Sequence, residues 1–469
     1  MEAFEIRGFN PCESLLRHTP EQLRTFIRRM KTLKLNTLIV HYDYGWKRYH
    51  ELILEECEKA GVEIILMTFG PRTFLSYSDW KTEWFAKSPD GTPFTSRLEC
   101  ETYPCAQEPE ALAAYAYGAR QWLLSLPPQI RHVHMRAADG LMFCQCEKCR
   151  DLPDHEKWQP FVDIFTEAVK DVRPDLKFET DVYVKRYNIP EHPEAFGQMD
   201  NIMYDTFYRH TAFPIGSTKD SVNHEAVYSA ATEKEPDAAT PNEYHLNRLK
   251  EWCRDFPGKV YIHENAMAQS LYGSFQHATG TYLEDLKLYR SLGVQGVCYE
   301  AYEPGYAGFS EMFEILARAM NGEEIEYEET ELEKKTREKP MWAFCTDPQF
   351  PLEEYIKDPV YLKHAQLFRQ AWTSPTADMY REFVQFTFAH EDLFDPLFIG
   401  FGIASYCRIT GKLRFENLSP EADDMVHRRK LWDFMEDIPL DQDPRAVCRA
   451  LIFELAEKAE DVEQDEKMV

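Results

Sequence analysis

IRHVHMRAADGLMFCQCEKCR, residues Ile130 to Arg150, joins an apolar strand pattern to an acidic turn and then to three closely spaced cysteines. Ile130, Val133 and Met135 alternate with His132, His134 and Arg136, the period of an extended strand. The Asp139-Gly140 pair turns the chain, and Cys144, Cys146 and Cys149 follow in CxCxxC spacing. A carboxylate, imidazoles and thiols are therefore offered at one strand end.

Seven further segments read as strands in the same way: Phe4–Phe9, Thr37–His41, Val62–Thr68, Lys177–Val184, Asn201–Asp205, Lys259–Glu264 and Gly296–Glu300. They are short and apolar, and helical patterns separate them, as in parallel strands covered by helices. Pro20–Leu33 sets Leu23, Phe26, Ile27, Met30 and Leu33 on one face, and Glu110–Leu126 is a second such helix. Eight strand–helix units predict an α/β protein with a closed (β/α)8 TIM barrel, whose active site lies where the strands end. An open doubly wound sheet is the runner-up, but no GxGxxG follows the first strand.

The connections Phe69–Pro109, Gly140–Glu156 and Thr206–Ala239 are long for loops and are candidate cleft walls. The expected organisation is a catalytic barrel over 1–322, a charged linker over 323–341 and a C-terminal helical domain over 342–469. Val360–Trp372, Asp378–His390 and Arg445–Lys458 carry the helical patterning of that last part, and Asp461–Val469 is expected to fray.

With 469 residues, 44% of them hydrophobic, the chain can bury a large core. Its 80 acidic against 53 basic residues leave a formal charge of -27, which repels phosphate backbones and anionic membrane surfaces, so nucleic acid and membrane are not expected partners. The chain opens without a signal-peptide pattern, and no segment is apolar over the ~18 residues that a membrane helix needs, so a soluble cytoplasmic protein is expected. The twelve cysteines then read as reduced thiols plus a metal cluster rather than a disulfide framework. Aromatic residues make up 14%, and rings with polar edges suit sugar clefts as well as cores.

In a barrel, polar groups at strand C-termini converge on one mouth. Here they are Arg7, Asn10, His41, Asp43, Asp139, Asp181, Asp205, Glu264, Glu300 and Glu303. Such a set suits glycoside cleavage: one carboxylic acid protonates the leaving oxygen while a second group, a carboxylate or the substrate's own acetamido carbonyl, stabilises the oxocarbenium-like transition state. Asp139 and Glu264, after the fourth and seventh strands, are the first candidates for the acid, with Glu300 the alternative. Arg7, His41, Trp46, Asp181, Tyr204, Asp205 and Glu303 are substrate-binding candidates, Trp46 as a stacking ring or a core residue, Tyr204 and Asp205 as partners of an acetamido group. The structural alternative is that these carboxylates pair with Arg7, Arg136, Lys185 or Arg209 as barrel-end ion pairs. Cys144, Cys146 and Cys149 supply three corners of a tetrahedral zinc site, with Cys100, Cys105 and His155 as candidates for the fourth; three reduced cysteines are the alternative. The ion would be structural, and no organic cofactor is expected.

ADGLMFCQCEKCRDL, followed by a helix and DLKFETDVYVKRYNIP, resembles the signature of the bacterial domain of unknown function 4838. Part of that group is classed with glycoside hydrolase family 163, endo-β-N-acetylglucosaminidases. The opening IRGF, NTLIVHYDYGW, and YLEDLKLYRSLGVQGVCYEAYEPG also resemble the barrels of family 20 β-N-acetylhexosaminidases, in which a first-strand arginine, matched here by Arg7, binds the non-reducing sugar. The adjacent Asp-Glu pair of family 20 is absent after the fourth strand, where Ala137-Ala138-Asp139 stands. The resemblance spans roughly residues 1–320 and implies a hydrolase of N-acetylhexosamine-containing oligosaccharides, with an oligosaccharide as partner. An α-glucuronidase-like hydrolase, with Arg7, Arg136, Lys185 and Arg209 meeting a sugar carboxylate, and a non-hydrolytic carbohydrate-binding barrel are the rivals. Self-association as a homo-oligomer is left open by the sequence.

Overall fold

The structure is a computed structural model that describes residues 2–75, 80–94, 103–137, 143–207, 209–219, 238, 240–264, 278–300, 307–336, 348–391, 393–428 and 431–462. Eight parallel strands close into a barrel in sequence order. They are β1 (Ile6–Asn10), β2 (Thr37–His41), β3 (Glu63–Phe69), β4 (His132–Arg136), β5 (Lys177–Val182), β6 (Asn201–Asp205), β7 (Val260–Glu264) and β8 (Gly296–Glu300). The ring closes between β1 and β8, with Ile6 opposite Gly296 and Asn10 opposite Glu300. A Cβ on Gly296 would stand 1.9 Å from the Ile6 carbonyl oxygen, so only glycine permits the seam at that level.

Alternation along the strands divides the side chains into two sets. Leu38, Val40, Leu66, Val133, Met135, Phe178, Ile202, Val260, Ile262 and Val297 point outward and pack with the surrounding helices into the main core. The inward set forms a smaller apolar cluster of Ile39, Ile65, Met67, Met203, Tyr261 and Cys298. In β4 this means that the apolar residues face the helices and His132, His134 and Arg136 face the lumen. The first barrel helix, Pro20–Thr32, shows how locally legible these elements are: Thr19 and Gln22 cap each other reciprocally, Pro20 opens the first turn, and Leu23, Phe26, Ile27 and Met30 are buried.

The helices Pro359–Thr373, Ala377–Ala389, Pro396–Ile409 and Pro444–Lys458 build a second core, with Tyr380, Phe383, Ile452 and Leu455 buried among them. Leu16, Tyr44 and Phe69 of the barrel join the same core. The Arg48 guanidinium donates to the carbonyls of Ile438 at 2.7 Å and Gln442 at 2.9 Å, fastening the two parts. Asp461, expected to fray, instead ends a short strand paired with Leu413–Phe415 and accepts from the Ala377 amide at 2.8 Å, which ties that end down. Among the described residues, no helix is long and apolar enough to cross a membrane.

Candidate active site at the barrel mouth

The last inward residue of each strand lies at the C-terminal end of the barrel, and here that layer is polar. Seven of its eight members are polar, Asn10, His41, Arg136, Asp181, Asp205, His263 and Glu300, with Phe69 of β3 the eighth, and all are buried. Asn10 Oδ1 accepts from the Cys12 amide at 2.9 Å, which leaves its Nδ2 to donate to His263 Nε2 at 2.9 Å and toward His41 Nε2 at 3.3 Å. That donation makes His263 Nε2 an acceptor and puts its proton on Nδ1, which stands 2.9 Å from Asp205 Oδ2. Arg136 Nη2 lies 3.5 Å from the same carboxylate, and its Nε lies 3.7 Å from Asp181. Burial alone would raise the Asp205 pKa, but His263, Arg136 and the Phe207 amide outweigh it and hold the carboxyl below its ordinary range. Glu300 Oε2 faces His263 Nε2 at 3.7 Å. The mouth thus contains one pinned carboxylate and two more within the same ring of side chains.

Beneath it lies a second polar layer. Glu179, fully buried, accepts from Tyr261 Oη at 2.6 Å and pairs with His134 Nδ1 at 2.8 Å and His132 Nε2 at 3.0 Å. Burial opposes ionisation of Glu179, yet the two imidazoles hold its pKa well below the carboxylate range. Burial likewise lowers the His132 pKa, but Glu179 and Glu63 raise it further, to about 9.

Of the sequence-predicted residues, His41, Asp181, Asp205 and Glu300 meet at the mouth. Four others do not. Glu264 shares its side of β7 with Val260 and Ile262, so it points out of the barrel; Arg209 Nε holds it at 3.1 Å and Tyr289 Oη donates to it at 2.6 Å. Arg209 also binds Asp285 at 2.8 Å, and burial pushes the Asp285 carboxyl up to about 6. Tyr204 likewise shares the outward side of β6 with Ile202, and its hydroxyl meets His245 behind the strand, donating to the His245 carbonyl at 3.1 Å. Arg7 lies near the N-terminal end of β1, where its Nε donates to the Lys34 carbonyl at 3.2 Å, so it cannot reach a sugar at the mouth. Trp46 opens the helix Trp46–Ala60 and is buried in the main core. Asp139, Glu303 and Cys100 lie outside the described residues. Asp43 is spent locally, accepting from the Phe69 amide at 2.9 Å and the Thr73 hydroxyl at 2.7 Å.

Asn10 is found at the mouth as the sequence places it, although the sequence assigns it no role; His263 is the residue that the sequence reading misses, and parity could have found it. Within VYIHE, Tyr261 and His263 alternate against Val260, Ile262 and Glu264, and the apolar set marks the outward face. Of the four cations considered for a uronate, only Arg136 belongs to the mouth layer. Arg209 is committed to Glu264 and Asp285, Arg7 lies at the opposite end, and Lys185 lies 3.9 Å from Asp154.

The cysteines form a separate cluster. Cys105, Cys144, Cys146 and Cys149 bring their sulfurs within 4.8 Å of one another, and none is in a disulfide. Cys105 is the fourth member; His155 lies instead beside Glu156, at 3.5 Å. Backbone pairing sets the arrangement: the Cys105 amide donates to the Trp84 carbonyl at 2.7 Å, the Gln145 amide to the Lys87 carbonyl at 2.6 Å, and the Lys87 amide to Cys144 Sγ at 3.4 Å. Four clustered cysteines, three of them buried, could hold a structural metal such as zinc.

The closed barrel of eight parallel strands with helices between them defines a (β/α)8 TIM-barrel protein. Its structural relatives are distant. An endo-β-1,4-mannanase from Thermotoga petrophila matches with a TM-score of 0.40 and 10% identity over 70% of this chain and 79% of its own. A GH42 β-galactosidase from G. stearothermophilus matches with a TM-score of 0.44 and 11% identity over 78% of this chain, which spans 64% of that enzyme's length. The catalytic domain of a β-amylase from Paenibacillus polymyxa matches with a TM-score of 0.40 and 6% identity over 68% of this chain and 100% of its own. These likenesses concern the barrel fold alone. No protein-family model matches the sequence, and no curated protein matches it.

Proposed function

We propose that the protein is a glycoside hydrolase that cleaves an N-acetylhexosamine-containing oligosaccharide at the barrel mouth. The observation that carries this reading is the gathering of two carboxyls around one imidazole there: Asp205 is held as an anion by His263 and Arg136, and Glu300 Oε2 faces the other nitrogen of the same His263 ring at 3.7 Å. Separated carboxyl environments of this sort support separate acid and anion roles. Glu300 protonates the glycosidic oxygen as the leaving group departs. Asp205 accepts the acetamido N–H, which turns the acetamido carbonyl toward the anomeric carbon and stabilises its positive charge. Asp181 and His41 bind sugar hydroxyls. The likeness to glycoside hydrolase family 163 around the cysteines supports the sugar class.

Aryl glycosides that differ in leaving group test the assignment. Glu300→Gln is expected to lower kcat by about 10²–10⁴-fold on an N-acetylhexosaminide with a poor leaving group. It should cost far less when the leaving group is a nitrophenolate, which needs no proton. An equal loss on both would remove Glu300 from the acid role. Sugar binding without turnover by the wild-type protein would replace the hydrolase with a carbohydrate-binding barrel.

A further inference from the structure

A tetrahedral zinc ion bound at Zn–S distances near 2.3 Å requires its sulfurs to be about 3.8 Å apart along each edge. Cys105 Sγ lies 3.9 Å from Cys146 Sγ and 3.7 Å from Cys149 Sγ, and all four sulfurs fall within the compass of one ion. A disulfide would need about 2.05 Å, and a multi-iron cluster would hold its ligands further apart. The Lys87 amide directed at Cys144 Sγ is the kind of backbone donor that stabilises a bound thiolate. The turn between Cys146 and Cys149 is closed by the Cys149 amide on the Cys146 carbonyl at 2.9 Å, which sets the last two sulfurs on one side.

The cluster is also wired to the mouth. Two residues before Cys105, the Tyr103 hydroxyl accepts from Arg186 Nη1 at 3.0 Å. One residue before Cys144, the Phe143 ring packs on Tyr103 at 4.5 Å between centroids. Arg186 is buried against the rings of Phe143, Trp158 and Tyr183, and its Nη2 lies 3.9 Å from Asp181 in the mouth. The segments that carry Tyr103 and Phe143 come from two different long connections, after β3 and after β4. Among the described residues these segments are joined by the hydrogen bonds between 84–87, 103–105 and 145, by the Tyr103–Phe143 ring contact and by the cysteine cluster.

We propose that Cys105, Cys144, Cys146 and Cys149 bind one zinc ion, and that this centre, acting through Tyr103 and Phe143, positions Arg186 beside Asp181 at the mouth. Arg186 is in this view a positioning residue for Asp181, and the ion takes no part in the chemistry. The metal half stands without the hydrolase reading; only the importance of Asp181 rests on it.

Metal content of the protein purified without added metal is the first measurement, with one zinc per chain expected. Replacement by cobalt(II) should bring the intense thiolate charge-transfer and visible bands of a tetrahedral four-sulfur site. Cys105→Ser should weaken those bands while far-UV circular dichroism stays unchanged. Absence of zinc together with absence of cobalt–thiolate bands would overturn the metal site, and one iron in its place would overturn the zinc assignment. The coupling is read by hydrogen exchange over residues 178–187, which needs no substrate. Removing the metal with a chelator should speed exchange there, and restoring zinc should reverse it. Tyr103→Phe should keep the zinc and still speed that exchange, and on an active substrate should raise KM about tenfold with kcat little changed, the scale of one hydrogen bond to a charged group. Unchanged exchange in both the zinc-free protein and Tyr103→Phe would overturn the coupling, whether or not any glycoside is hydrolysed.

Discussion

Glu264 and Glu300 end adjacent strands, yet one residue of parity sends them to opposite sides of the barrel wall. Glu264 sits between the wall and the helix Thr279–Ser291, with Arg209 and Tyr289 as its partners. Deleting one member of a buried ion pair leaves the other charge unmatched, at a cost of about 3–5 kcal/mol. Glu264→Gln should therefore lower the melting temperature strongly while sparing kcat of the protein that remains folded. Thermal melts alongside activity per folded molecule check this, and a stable but inactive variant would return Glu264 to the catalytic set. Ile262 and Glu264 lie two and four residues after Val260, on the same side of the strand, so this much was legible in VYIHE once the barrel was assumed. The identity of the partner was not, since Arg209 lies in a connection far from Glu264 in sequence.

Across the elements, the polar layer below the mouth is built from β3, β4, β5 and β7 together. No single strand could predict it, because His132, Glu179 and Tyr261 become neighbours only when the ring closes. Its titration has a definite sign. The folded-state pKa of His132, about 9, lies above the ordinary imidazole value of 6.5, so the folded protein holds that proton more tightly than the unfolded chain. The stabilisation is complete below about pH 6.5 and is lost as pH rises through about 9. Melting temperatures recorded across that window should fall more steeply for the wild-type protein than for His132→Gln. Equal slopes would mean that His132 is not protonated in the folded state. Element ends were largely readable from sequence: Thr37–His41, Asn201–Asp205 and Gly296–Glu300 are found as expected, and β1 starts two residues later than the apolar run suggested, at Ile6 instead of Phe4. Phe4 is buried beside the barrel, its amide donating to the Met320 carbonyl at 3.0 Å, so its apolar character reports packing rather than strand.

For the whole molecule, the C-terminal helices matter because they lie against the β2 and β3 side of the mouth. Arg48 donates to several carbonyls of the segment Ile438–Gln442, while Glu436 accepts from the Gly45 amide at 3.1 Å. Arg48→Ala removes the Arg48 bonds and leaves the two cores joined by the packing of Leu16, Tyr44 and Phe69, the Gly45–Glu436 bond and the Arg17–Asp395 and Arg72–Asp433 ion pairs. The expected loss is about 2–4 kcal/mol from the lost charged hydrogen bonds. Denaturant unfolding that separates into two transitions in the variant would show the joint to be the weaker element. A single transition at the wild-type midpoint would show that Arg48 does not hold it. By itself, the sequence determined the eight strands, their alternation with helices, the helical C-terminal part and three of the four clustered cysteines, because these depend on local period and spacing. Tertiary structure alone decided which carboxylates face the lumen, that Cys105 completes the cluster and that His263 lies between Asp205 and Asn10, because a side chain's partner is set by ring closure between residues remote in sequence.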